Sequence, residues 1–240
     1  MEIIQVTQDL IANKITREMA VIKLFKMDLA TNEYKFAKAV AKLARKLPRM
    51  SFAEESNEME LCSRHVDPFL SGLKTFCAGV LTSVSPNDKA CNGSQVLGLR
   101  EAKLAHQASN GYMICRDLLR ISFFCKNALD MQTMMGVMGL QVIGRTVTVY
   151  SLVLPSSGLY VVYELAKVKI PDCLDDLPKL IMDISNVLLV FDVFDRFCIP
   201  SVDSPHSERQ RPTISSSNFN KLFSASQNRK RSCHLKHLHN

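Results

Sequence analysis

The chain has 240 residues, of which 47% are hydrophobic and 22% charged, with a formal net charge of +7. That composition builds a buried core and excludes a wholly disordered chain. The charge is uneven: residues 1–50 carry ten Lys/Arg against five Asp/Glu, 201–240 seven against two, and 51–200 thirteen against sixteen. The pI of about 9.0 therefore describes the ends and not the slightly acidic middle.

The most apolar stretch, 180–197, is broken by Asp183, Asp192, Asp195 and Arg196, so no membrane span and no membrane partner are expected. Glu2 and Asp9 interrupt the N-terminus, which lacks the compact apolar run of a secretory signal. An intracellular protein of nucleus or cytoplasm is expected, with its eight cysteines reduced. None forms a CxxC pair, and Cys62, Cys77, Cys91, Cys115, Cys125, Cys173 and Cys198 read as small buried hydrophobes.

Residues 1–47 are helical in pattern: Ile4, Leu10, Ile11, Ile15, Met19 and Ile22 keep a loose 3.6 spacing, and an Ala/Lys/Leu run over 37–47 stops at Pro48. Lys35, Lys38, Lys42, Arg45, Lys46 and Arg49 give this segment a basic face, solvated or in contact with phosphate. A polar loop over 51–57 precedes a helix over 58–73, with Pro68 as its kink or end and Gly72 as its stop. Residues 76–84 are mixed, with a short strand as one reading, and 85–94, "SPNDKACNGS", is turn chemistry.

Residues 96–103, "VLGLREAK", read as a strand whose period of two sets Leu97, Leu99, Glu101 and Lys103 on one face. A long helix over 104–130 follows, with Leu104, Ala108, Tyr112, Cys115, Leu119 and Phe123 as its apolar stripe. Gly136 and Gly139 close a Met-rich connector, and 140–170 is the clearest β region, folded about the turn "PSSG". Asp175 or Asp176 then caps a helix with Pro178 in its first turn, which runs to Pro200. The order predicts an α/β core over 58–200, with α+β as the alternative: a small mixed sheet flanked by helices. A basic helical extension over 1–50 precedes it, and a disordered basic tail over 201–240 follows.

Glu101 and Lys103 form the constellation with the most chemistry. A carboxylate at the end of a strand holds a hard divalent cation, and an ammonium beside it steadies an attacking water or a phosphate oxygen. Asp88 stands thirteen residues upstream, Glu60 lies on the preceding helix, and Gln107 follows Lys103 by one turn. The plain alternatives are a surface ion pair for Glu101 and Lys103, and a solvated helix residue for Glu60.

Pro86-Asn87-Asp88, followed by Glu101-Ala102-Lys103 on a strand that feeds a helix, resembles the PD-(D/E)xK, or restriction-endonuclease-like, nuclease superfamily. The resemblance implies a helix bearing Glu60, a mixed sheet carrying Asp88 and the ExK residues, and Mg²⁺-dependent hydrolysis of phosphodiester bonds in DNA. Asp88, Glu101 and Glu60 would be the metal ligands, with Lys103 beside the attacking water and Gln107 in contact with nucleic acid. A narrower likeness, carried by "ELCSRHVDPFLSGL", "EAKLAHQASNGYMICRDLLR" and the long stretch up to Pro200, is to a group of uncharacterised proteins encoded in mucoromycete fungal genomes. It brings no activity with it.

Arg229, Lys230 and Arg231 in the tail read as a nuclear-import peptide or a non-specific phosphate contact; that DNA rather than RNA is the nucleic-acid partner is what the nuclease resemblance implies. Cys233, His234, His237 and His239 are a conceivable metal clip or mere composition. The glycines make neither GxGxxG nor a P-loop. Two functions follow: a Mg²⁺-dependent nuclease, or a catalytically inactive relative that binds nucleic acid or protein.

Overall fold

The structure, a computed structural model, describes residues 2–51, 57–74, 81–83, 98–201, 210–215, 217–219 and 221, with the backbone alone at 72–74, 81–83 and 98–101. It divides into two units, Met1–Gln210 and Arg211–Asn240. In the second, the described residues include one helical turn at 217–219, where the Phe219 N–H donates to Ser215 O at 2.9 Å.

The first unit opens with helices α1 (Glu2–Ile11), α2 (Arg17–Lys26) and α3 (Thr31–Lys46). Next come α4 (Glu58–Glu60), a π-helical turn (Leu61–Val66) and α5 (Asp67–Lys74). Strands β1 (Leu81–Ser83) and β2 (Gly98–Lys103) precede a 3₁₀ turn (Ala105–Ser109) and the long helix α6 (Gly111–Gln132). Strands β3 (Gly136–Ile143), β4 (Thr146–Ser156) and β5 (Leu159–Lys169) follow, then α7 (Leu177–Met182) and α8 (Ile184–Phe197).

The strands form one mixed sheet in the order β1-β2-β3-β4-β5. β1, β2 and β3 are parallel to one another, whereas β3, β4 and β5 form an antiparallel meander. The expected mixed sheet with flanking helices is therefore present. The β region begins earlier than the sequence suggested. Residues 136–139, read as a connector, are the first half of β3, and the run "QVIGRTVTVYSLVL" is two strands. Gly144, at φ +56°, supplies the reversal between them. β3 lies at the centre of the sheet, so seven of its eight residues are buried and no alternation announces it.

The first three helices are built into this core. Phe36, Ala37, Ala39, Val40, Ala41, Leu43 and Ala44 of α3 are all buried. The alanines let α2, α5 and α8 close around it. Residues 2–47 thus share one core with the sheet. The basic face is accordingly incomplete: Lys35 is 1% exposed, with its Nζ 2.6 Å from an Asp195 oxygen. The chain leaves α3 in an extended conformation at Leu47, because the residue before a proline disfavours helical angles.

Pro68 ends nothing. A proline cannot donate to the carbonyl four residues back, and its ring crowds that carbonyl. The π-helical turn lies immediately before it, with the Asp67 N–H bonded to Cys62 O five residues back. The widened turn gives the crowded carbonyl room, and the helix continues through Pro68.

The expected helix over 104–130 is interrupted. After the 3₁₀ turn, Asn110 restarts it as an N-cap, with its Oδ1 accepting from the Met113 N–H at 3.1 Å. This restart shifts the buried face. Ile121, Cys125, Ala128 and Leu129 are buried together with Asp117, whereas Tyr112 is 45% and Leu119 52% exposed. Ala108 and Cys115 are exposed as well, so the stripe expected to pack inward faces largely outward. The true stripe was hidden by Asp117, the charge that begins it.

Candidate functional site

β2 ends at Lys103 and pairs in parallel with β3, so that Glu101 stands opposite Gln141 and Lys103 opposite Ile143. The helix between them, α6, packs against both strands. Two contacts seat it. Gln141 Nε2 donates to Ile114 O at 2.9 Å, and Gly139 leaves room for Ile121, whose Cγ2 would lie 2.4 Å from a Cβ built there. The turn between β3 and β4 closes over the end of β2, where the Gly144 N–H donates to Lys103 O at 2.8 Å.

Around this strand end the charged groups are paired. Lys103, its side chain 19% exposed, has its Nζ 3.8 Å from Glu58 Oε1. Glu60, expected from the resemblance to serve the site, is engaged along its own helix by Arg64 at 2.8 Å. Among the described residues, the helix acid that reaches Lys103 is therefore Glu58, which sequence reasoning passed over. One signal for it was available: Asn57 caps this helix, its Oδ1 accepting from the Glu60 N–H at 2.8 Å, which makes Glu58 the first helical residue.

Gln107 lies in the 3₁₀ turn after Lys103, its Oε1 buried and, among the described residues, without a hydrogen-bond partner. Glu101 is placed by its backbone in β2; Asp88, Arg229, Lys230 and Arg231, with the Cys233–His239 group, lie outside the described residues. Among the described residues no three His, Cys, Asp or Glu side chains gather to hold a metal. Among them also, no helix is long and apolar enough to cross a membrane.

Beside the strand end, the turn residue Arg145 bridges to Asp172 at 3.5 Å and to Asp176 at 4.0 Å. His65, in the π-helical turn, is buried and bonded through Nδ1 to Pro171 O at 3.1 Å. Burial lowers its pKa below the ordinary value, opposed by that carbonyl and by Asp172. Of the cysteines expected to be buried, Cys125, Cys173 and Cys198 are, Cys62 is half-buried and Cys115 is exposed. All five are free thiols.

No protein-family model matches the chain, and no curated protein or solved structure matches it.

Proposed function

We propose that the chain is a nuclease-like domain that hydrolyses phosphodiester bonds in DNA with the help of Mg²⁺ at the C-terminal end of β2. The observation that carries this reading is Lys103: an ammonium at the end of a parallel strand, just before the crossover to α6, with a helix-borne carboxylate 3.8 Å away. The acids named for the site would suit a hard dication, because carboxylate oxygens are hard ligands. Glu101 and Glu58 would hold the ion, with Glu60 and Asp88 as the further ligands that the superfamily resemblance implies. The ion would supply charge to stabilise the pentavalent phosphate. Lys103 would orient the attacking water and hold its developing charge.

A second reading is a catalytically inactive nuclease-fold protein that binds nucleic acid or another protein. It is favoured by the pairing already in place: Lys103 with Glu58, and Glu60 with Arg64.

The test is calorimetric titration of the full chain with Mg²⁺ and Mn²⁺ at low salt, wild type against Glu101→Ala and Glu58→Ala. Binding lost in Glu101→Ala supports the cation site, and DNA cleavage lost in the same variant supports catalysis. A folded wild type that takes up no cation, alone or with DNA present, and cleaves no DNA leaves the binding module as the reading.

A further inference from the structure

Asp117 is the most conspicuous polar group in the fold. It sits in the second turn of α6 at 0% exposure, and among the described residues neither carboxylate oxygen has a hydrogen-bond partner. Its nearest compensation comes from its own helix: Arg116 Nε and Arg120 NH1, each 3.8 Å from Oδ1. Those distances are ion pairs without hydrogen bonds. A carboxylate so buried adds little stability, since an apolar residue of similar size would serve the packing better. What it does is hold two guanidinium groups against one side of the helix. Arg116 and Arg120 remain 32% and 17% exposed, and Arg116 Nε is buried, among the described residues without a hydrogen-bond acceptor.

Four residues before Arg116, Tyr112 is 45% exposed. Tyr112, Arg116 and Arg120 follow one another at i, i+4 and i+8, a single row with about 6 Å of rise per step. Two planar cations with an aromatic ring at the end of their row match a phosphate backbone with an unstacked base. The ring end of the row is the N-terminal end of α6, the end joined to Lys103 through the 3₁₀ turn.

We propose that the row Tyr112–Arg116–Arg120 on α6 is a docking surface for single-stranded nucleic acid, with its guanidinium groups held in place by buried Asp117. The proposal rests on the nucleic-acid reading above and names a contact surface for it. The arginines take successive phosphates, and Tyr112 stacks on a base near the candidate site.

The experiment measures fluorescence anisotropy of a labelled single-stranded DNA of about 20 nucleotides, a length that exceeds one single-strand binding site. It uses the full chain in EDTA, over a range of salt. The variants are Arg116→Gln/Arg120→Gln, the charge-keeping Arg116→Lys/Arg120→Lys, Tyr112→Leu and Glu101→Ala. Two lost phosphate contacts lower the slope of log K against log salt by about 1.4 in the Gln pair. The Lys pair keeps the slope, and Tyr112→Leu weakens binding about 5-fold or more. Row variants that bind like wild type but melt at lower temperature would make the row a structural device and overturn the proposal. So would a wild type that binds no single strand, or one that prefers duplex and is indifferent to Tyr112. Because EDTA removes any cation, the two readings fail separately. Row-dependent binding without cation uptake or cleavage sinks the nuclease alone, whereas cleavage that depends on Glu101 but not on the row sinks the docking surface alone.

Discussion

Gly139→Ala tests the seat on which α6 rests. A Cβ at this position would lie 2.4 Å from Ile121 Cγ2 and 3.3 Å from Cys125 Sγ. Both neighbours are buried, and Ile121 is β-branched, so its offending methyl cannot swing clear as a flexible chain end would. Overpacking of this kind costs about 1–3 kcal/mol. Replacing a strand glycine returns about 0.5–1 kcal/mol of backbone entropy, which at the middle of both ranges leaves a net loss of about 1 kcal/mol. For a unit of this size that lowers Tm by about 2–4 °C. The assay is thermal unfolding by circular dichroism, with urea titration to show an unchanged m value. A companion cycle sharpens it: Ile121→Ala alone opens a cavity and costs about 2–5 kcal/mol, but the double variant must lose less than the sum, because the new methyl then has room. An unchanged Tm in Gly139→Ala, or strict additivity in the cycle, would show that α6 does not approach β3 as closely as described, and would refute the seating argument.

Three further outcomes are expected. Thr133, the C-cap of α6, is β-branched yet sits in the left-handed region at φ +48°; Thr133→Asn should raise stability by about 1 kcal/mol in urea titration, since Asn tolerates that region better. Asp195→Asn should destabilise by about 1–3 kcal/mol by withdrawing the carboxylate from buried Lys35, whereas Lys35→Met, which removes the buried charge itself, should be near neutral; equal losses in the two would contradict this. His65 has a lowered pKa in the folded state, chiefly from burial, so the unfolded chain takes up its proton first as pH falls below about 6.5. Its contribution is complete above the unfolded value and is lost as pH falls towards the folded one, so urea midpoints should drop over that window in wild type and drop less in His65→Gln.

The helices were legible because their signals are local. Pro48 marks the end of α3, Pro178 lies in the first turn of α7, and Val, Thr and Tyr crowd β4 and β5. The failures trace to tertiary context. β3 is buried on both faces, and in its opening Gly136-Val137-Met138-Gly139 two glycines dilute the strand signal of the valine. Pro68 read as a kink or an end because widening a helical turn leaves no mark in composition. At the candidate site, the Glu101/Lys103 pair was visible as a spacing on a strand, and β2 does run to Lys103. Which helix acid meets that lysine was not visible: Glu58 and Glu60 are two residues apart, and only the approach of the helix to the strand end selects Glu58.

The buried Asp117 joins these two levels. A sequence reader scoring hydrophobic periodicity meets a charge at 117 and shifts the stripe to Tyr112, Cys115 and Leu119, which the structure leaves exposed. Had position 117 been leucine, Ile114, Ile121, Cys125 and Ala128 would have announced the inward face at once. The violation of the pattern is thus where a purely structural sequence would have been more regular, and such departures concentrate where something besides stability is maintained. Asp117→Leu therefore separates the two demands. If the carboxylate serves only packing, the variant should be at least as stable as wild type and bind nucleic acid unchanged. If it holds the arginines in their row, stability should still be kept, but the affinity for single-stranded DNA should fall and its salt dependence flatten as Arg116 and Arg120 lose their common anchor. A variant that unfolds instead would mean that the two ion pairs at 3.8 Å carry more of the fold than their geometry suggests.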